Sequence, residues 1–267
     1  MNHYVHHLSP YLIQWGEHAG LRYYNLAHMV GFAASVGLLV DFHRRGWSKL
    51  SPRLLLWFIP LLAPVIIISS RLGNGFFYHW AETVKDPVSI IRLHGGGFHG
   101  MASHGVFFGL PVFLYLFSRW ARISFWNLAD NIVTVVPISA GLIRLGNFMN
   151  GEIWGRPFHL PWAIVFPQAG DGLPRHPFQI YGFLGEGIFL FILMLWVRRQ
   201  RWRDGAATVF FLAAYSVVRF LLEFLREPDA GVGMAFGWLT RGQLLCLGGL
   251  ALAALFLWLL TRRRHAH

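Results

Sequence analysis

Apolar residues in this chain are gathered into long stretches with few interruptions instead of alternating with polar ones. The longest are Leu54 to Ile68, Phe107 to Phe117, Phe183 to Val197 and Leu244 to Leu260, all rich in Leu, Ile, Val and Phe. A helix packed on a soluble core keeps a polar face, and these stretches mostly lack one. They predict membrane-spanning helices. Seven spans follow, at about 22–42, 52–71, 98–118, 127–147, 178–197, 206–226 and 242–261. The predicted fold is therefore an all-α membrane protein, with residues 1–267 forming one polytopic domain.

Composition agrees with this pattern. Only 13% of the residues are charged and 55% are hydrophobic, whereas a soluble domain carries about 25% charged residues. The net charge is +11 with histidine neutral. In a membrane chain this points to topology and to anionic lipid, and a nucleic-acid partner is not expected. Basic residues sort the loops: thirteen of the 23 Lys and Arg follow spans one, three, five and seven, so they lie on one side. The positive-inside rule makes that side cytoplasmic, with the N-terminus outside and the C-terminus inside. Two longer outer connections, about 72–97 and 148–177, are rich in Gly, Pro, Trp and His and suit a small head above the membrane. The start, MNHYVHHLSP, lacks the basic and apolar regions of a cleavable signal peptide. Cys246 is the single cysteine and sits among leucines, as an inert buried residue would. No internal repeat is visible, which weakens a repeat-built transporter.

Arg144 and Arg219 are not explained by topology, because both fall within apolar spans. A charge at mid-span costs about 2.5–3.5 kcal/mol on insertion scales, so such residues face a partner, a cavity or the bundle interior. Tyr215, Arg219 and Glu223 follow at i, i+4 and i+8 and form one helical stripe, with Arg226 close to it. A buried ion pair that only fixes packing is the alternative. Span four ends in Arg144, Gly146, Asn147, Asn150, Gly151 and Glu152. That density of glycine and polar groups suits close approach of a ligand; the alternative is a glycine cap, with Arg144 on its own last carbonyls. Tyr24, His104, Arg144, Asn147, Glu223, His176 and Tyr181 all map to the outer half of the bilayer. Two arginines at that depth suit a lipid phosphate. His94, His99 and His104 recur every five residues and do not share a helix face, so no metal site is expected.

Longer motifs carry a resemblance. Arg144-Leu-Gly-Asn-Phe-Met-Asn-Gly-Glu-Ile-Trp-Gly-Arg156 closely resembles the signature of bacterial prolipoprotein diacylglyceryl transferases. Pro174-Arg-His-Pro-Phe-Gln-Ile-Tyr181 and Arg219-Phe-Leu-Leu-Glu-Phe-Leu-Arg-Glu-Pro-Asp229 resemble two further segments of that family. Tyr23-Tyr24 ahead of Val30-Gly31-Phe32, and Arg71-Leu-Gly73 near Tyr78, also fit. The likeness runs from about residue 22 to 261. There are departures. The family's histidine-glycine-glycine reads His104-Gly-Val here, with His99-Gly100 as a competing match. An acid that often follows the tyrosine matched by Tyr181 is replaced by Gly182. Asn25 and His28 stand where a glycine and a tyrosine are usual.

The resemblance implies an enzyme that moves the diacylglyceryl group of phosphatidylglycerol to the lipobox cysteine of a prolipoprotein signal peptide. Its site would lie toward the periplasmic side of the bacterial inner membrane. The implied catalytic residues are His104 as base, Arg219 on the departing phosphate and Glu223 orienting Arg219. Arg144, Asn147, Tyr24, Glu152, Gly155 and Tyr215 would bind phosphatidylglycerol, and Trp154 and Arg156 would shape the rim. No metal or redox cofactor is implied. A lipid transporter or flippase that binds an anionic headgroup is the competing class, and a structural membrane subunit is a third.

Overall fold

In hydrocarbon a chain must satisfy its own backbone hydrogen bonds, so apolar segments become helices. The computed structural model describes residues 3–16, 19–86, 103–228, 234–235 and 238–262. Six helices in it are long and apolar enough to cross a membrane. They are α1 (Tyr23–Arg44), α2 (Pro52–Tyr78), α5 (Phe125–Met149), α6 (Phe178–Arg199), α7 (Ala206–Glu223) and α8 (Arg241–Arg262). A short helix α3 (Trp80–Lys85) follows α2, and α4 (Ser103–Ala121) holds a shorter apolar stretch, Gly105–Ala121. Large apolar side chains stand outward, such as Leu56, Met29, Ile192 and Leu221. A lipid environment accepts such a surface and water does not. The chain divides into two compact units, residues 42–129 and residues 1–41 with 130–267.

In the unit of residues 42–129, the Ser51 side chain caps α2 by accepting from Leu54 N at 3.3 Å, with Pro52 at the first helical position. The expected end of this span, near residue 71, is passed: α2 runs on to Tyr78. Its polar stretch from Ser69 stays helical because α4 offers glycine there. A Cβ at Gly105 or Gly109 would collide with Ser69. Phe58, Phe113 and Phe117 form an aromatic cluster between the same two helices, with ring centroids 5.1–5.8 Å apart.

Small residues set the crossings in the other unit. Gly146 of α5 meets Tyr24 of α1, and Gly31 of α1 meets Ser139 of α5. Ser35 and Ser139 share a hydrogen bond of 2.9 Å. Such close helix approach is the usual solution in lipid. Short strands interrupt an otherwise helical chain. Strand β1 (Tyr4–Val5) runs parallel to β4 (Ile164–Val165), which pairs antiparallel with β5 (Pro174–Arg175). The N-terminal segment thus supplies an edge strand. Two hairpins complete the described strands: β2 (Tyr11–Gln14) with β3 (Gly20–Arg22), and β6 (Met234–Ala235) with β7 (Leu239–Thr240).

Candidate functional site

Helix α5 ends in a glycine cap. Glu152 N donates to Asn147 O at 3.1 Å and Gly151 N to Phe148 O at 2.9 Å, with Gly151 at φ 64°. This is the pair of bonds a left-handed residue makes possible at a helix end. The cap also brings side chains together. Glu152 Oε1 accepts from Asn147 Nδ2 at 2.8 Å and from Asn150 Nδ2 at 3.0 Å, and Gln179 Nε2 donates to Glu152 O at 2.7 Å. Tyr24, one helix over, lies within electrostatic reach of Glu152 and Arg144.

Arg144 does not turn to the carbonyls of its own helix. Its Nε lies 2.7 Å from Glu186 Oε2. Glu186 sits in a π-helical turn of α6, Phe183–Phe189, a widened turn common at functional sites. Two glycines make the meeting possible. Gly141 of α5 and Gly187 of α6 touch so closely that a Cβ on either would fall within 2.7 Å of the other's Cα. Gly182 lies under the Arg144 stem, where a Cβ would stand 3.0 Å from Arg144 Cδ. The position without an acid is therefore the one that lets Arg144 cross to the acid four residues on.

The network extends to α7. Glu186 Oε1 is 3.6 Å from Arg219 Nε, Arg219 Nη2 is 2.5 Å from Glu223 Oε2, and Arg226 Nη1 is 3.6 Å from Glu223 Oε1. Both Glu186 and Glu223 are buried. The guanidinium groups of Arg144 and Arg219 lie 5.8 and 5.6 Å from the centre of the Phe178 ring, within cation–π range. Arg219 Nη1 is buried and has no hydrogen-bond partner among the described residues. Tyr215, one turn below Arg219, is stacked on Phe211 and within electrostatic reach of Glu186, Arg219 and Arg144. Cys246 of α8 is buried and in reach of Arg219, Glu223 and Glu186.

The segment after α5 packs against the end of α7. Gly155 N donates to His176 O and Arg156 N to Leu225 O, both at 2.9 Å. A Cβ at Gly155 would strike His176 and the Leu225 carbonyl. Arg156 Nε donates to Arg226 O at 3.0 Å. Arg175 pairs with Asp171 and, at 3.2 Å, with Glu227. The Arg175 guanidinium holds the Asp171 carboxyl below the usual carboxylate range. Trp162 donates to Tyr181 Oη at 2.9 Å, and that hydroxyl is 3.3 Å from His176 Nδ1. Burial lowers the His176 pKa, favouring neutral imidazole.

Arg144, Asn147, Tyr24, Glu152, Gly155, Tyr215, Arg219 and Glu223 thus all lie in the unit that contains residues 130–267. His104 is the second residue of α4, in the other unit. Its side chain lies outside the described residues, as do His94 and His99. Among the described residues, no three His, Cys, Asp or Glu side chains gather to hold a metal ion. Sequence reasoning missed Glu186. It was legible as a lone acid inside the apolar stretch Phe183 to Val197, the signal by which Arg144 and Arg219 were found.

The profile of the family described as prolipoprotein diacylglyceryl transferase matches residues 10–259. The phosphatidylglycerol–prolipoprotein diacylglyceryl transferase of Methylococcus capsulatus is 38% identical over 242 residues, 90% of each chain. The protein of the same name from Coxiella burnetii is 37% identical over 265 residues, 98% of each chain. That of Bordetella bronchiseptica is 36% identical over 260 residues, 96% of each chain.

Proposed function

The chain belongs to the prolipoprotein diacylglyceryl transferase family, and from that premise we propose that it transfers the diacylglyceryl group of phosphatidylglycerol to the lipobox cysteine of a prolipoprotein. The thiol sulfur bonds to the glyceryl carbon that carries the phosphate. The carbon–oxygen bond breaks, its electron pair stays on the phosphate oxygen, and the thiol proton passes to a base. The products are a thioether and glycerol phosphate. An ordinary thiol has a pKa of about 8.5, so the base matters. His104 is the candidate, with His99 its competitor.

One observation carries this reading: two arginines from different helices are held by one buried glutamate, and Arg219 Nη1 has no hydrogen-bond partner among the described residues. A phosphate oxygen suits that donor. Donors fixed in advance where charge develops supply the largest share of many rate enhancements. Glu223 orients Arg219 at 2.5 Å. Asn147, Tyr24 and Tyr215 line the headgroup, and Gly155 lets the head pass close over α7. Cys246 takes no part, because the reacting thiol belongs to the substrate.

The site opens toward the periplasm. The chain crosses the bacterial inner membrane seven times as one polytopic domain, with the N-terminus outside, the C-terminus in the cytoplasm and a small outer head. The basic loops support this orientation.

The test is mass spectrometry of a lipobox peptide after incubation with the pure protein and phosphatidylglycerol. A mass gain of one diacylglyceryl group at cysteine is expected. Lipid movement across liposomes with no covalent product would overturn the reading in favour of a flippase. His104→Gln is expected to abolish transfer; if only His99→Gln does so, His99 is the base.

A further inference from the structure

Helices α2 and α4 pack antiparallel: Ser69 lies against Gly105, while Phe58 meets Phe113 and Phe117. Toward the start of α2 and the end of α4 they part into an open cleft of about 230 Å³, lined by Leu61, Phe113, Leu116, Phe117 and Trp120. The α4 members follow at i, i+3, i+4 and i+7 and form one face of that helix. Leu61 is nine residues into α2, and Phe113 is eight before the end of α4. The cleft therefore reaches about 12–14 Å in from the helix ends. One hydrocarbon leaflet is about 15 Å thick, half of the bilayer core. At the mouth, Trp57 of α2 and Trp120 of α4 meet edge to face, with ring centroids 6.4 Å apart. Indoles are favoured at the headgroup level of a membrane.

This mouth is basic. Arg53 stands in the first turn of α2, one turn before Trp57, and Arg119 precedes Trp120 in the last turn of α4. Both side chains are exposed, and neither has an ion-pair partner among the described residues. Residues 42–81 and 103–129 contain no Asp or Glu. Of the acids that flank this unit in sequence, Asp41 lies four residues before Arg45, and Asp130 accepts from Gly205 and Thr208. An arginine in open solvent needs no partner. Two of them at the mouth of an apolar cleft one leaflet deep suit an anion that carries a hydrocarbon chain.

We propose that this cleft holds one anionic phospholipid from the leaflet that faces the basic loops, with an acyl chain between α2 and α4 and its phosphate at Arg53 and Arg119. The planar guanidinium suits phosphate oxygens. A zwitterionic lipid offers the same phosphate, but its ammonium group opposes the arginines. The lipid held here is not the one consumed, because the transfer is assigned to Arg144 and Arg219 in the other compact unit. It ties the start of α2 to the end of α4, where Trp57 and Trp120 already meet.

Photocrosslinking tests this in phosphatidylcholine nanodiscs that contain the full chain and a small share of a phospholipid with a diazirine in its acyl chain. The probe is either phosphatidylserine or phosphatidylcholine, and labelled peptides are read by mass spectrometry. Phosphatidylserine carries one net negative charge without the glycerol headgroup of the proposed substrate. At equal dose it should label residues 113–120 of wild-type protein on the order of tenfold more than phosphatidylcholine does. Arg53→Gln combined with Arg119→Gln should bring the two probes close to parity there. Arg262→Gln, which removes a charge at the end of α8, should leave the preference intact. Equal labelling of wild-type protein by both probes would overturn the proposal, because an ordinary lipid-facing surface behaves that way. Survival of the preference without Arg53 and Arg119 would also overturn it. So would an equal loss in Arg262→Gln, since net charge alone would then set the preference. The wild-type comparison needs no variant, so a misfolded double variant leaves the proposal open to refutation.

Discussion

Helix α5 carries a charge near each end, Asp130 buried and Arg144 half-buried, and the surroundings of the two differ. Asp130 is near its start and Arg144 fourteen residues on, about 21 Å along the axis. Asp130 is saturated. One oxygen accepts from Thr208 N at 2.8 Å and Thr208 Oγ1 at 2.6 Å, and the other from Gly205 N at 2.7 Å. These are donors at the start of α7, where a carboxylate also meets the favourable end of the helix dipole. The Arg144 end is unsaturated. Arg219 Nη1 has no hydrogen-bond partner among the described residues, and Glu186 Oε1 has only the 3.6 Å contact with Arg219. A charge that serves the fold has its bonding capacity filled by the fold. A charge kept with spare capacity is prepared for something that binds.

The largest expected effect tests the unsaturated end. Arg219→Ala or Arg144→Ala should slow lipidation of a lipobox peptide by about 10²–10³-fold, the scale for a lost donor to a developing anion. Thermal stability should fall as well, by about 3–5 kcal/mol, because either change leaves a buried Glu186 or Glu223 carboxylate uncompensated, so turnover is compared per folded molecule. Full activity in both variants would break the contrast. At the saturated end stability falls while activity does not. Asp130→Ala should lower stability by about 2–4 kcal/mol through the orphaned donors of Gly205 and Thr208, seen as a lower melting temperature in detergent. Turnover per folded molecule should stay at the wild-type value.

A smaller effect concerns a buried group that avoids charge altogether. His6 is 1% exposed, with its ring between Phe148 and Phe166. Burial lowers its pKa, so the unfolded chain binds the proton more readily than the folded one. Its contribution is full above about pH 6.5, the unfolded value, and is lost as pH falls through the lower folded value. Melting temperatures at pH 7.5 and 5.5 should differ less in His6→Phe than in wild-type protein. The smallest effect is at Cys246, which is buried beside the network without bonding to it. Cys246→Ser should leave turnover near normal, and a dead enzyme would mean that the chain supplies its own nucleophile.

Much of this was legible in the chain itself. The apolar stretches marked the helices, because backbone bonding in lipid leaves few other choices. Arg144 and Arg219 stood out because charge is rare there. The stripe of Tyr215, Arg219 and Glu223 followed from helical spacing, and the Arg219–Glu223 contact is that spacing realised. Glu186 was not singled out because it stands alone among glycine and apolar neighbours, with no polar stripe on its helix. The strand role of residues 4 and 5 was hidden because two residues paired with a segment 160 positions later leave no local pattern.

The sequence by itself therefore determined which segments are helical, which charges are out of place and which family they belong to. These are local properties, set by the 3.6-residue repeat, by hydropathy and by the identity of motif residues. Only the tertiary structure decided that Arg144 leaves its own helix end for Glu186, and that Asp130 is closed while Arg219 is not. Those outcomes depend on where helices cross. The α5–α6 crossing is set by Gly141 against Gly187, two glycines that are unremarkable until their backbones meet.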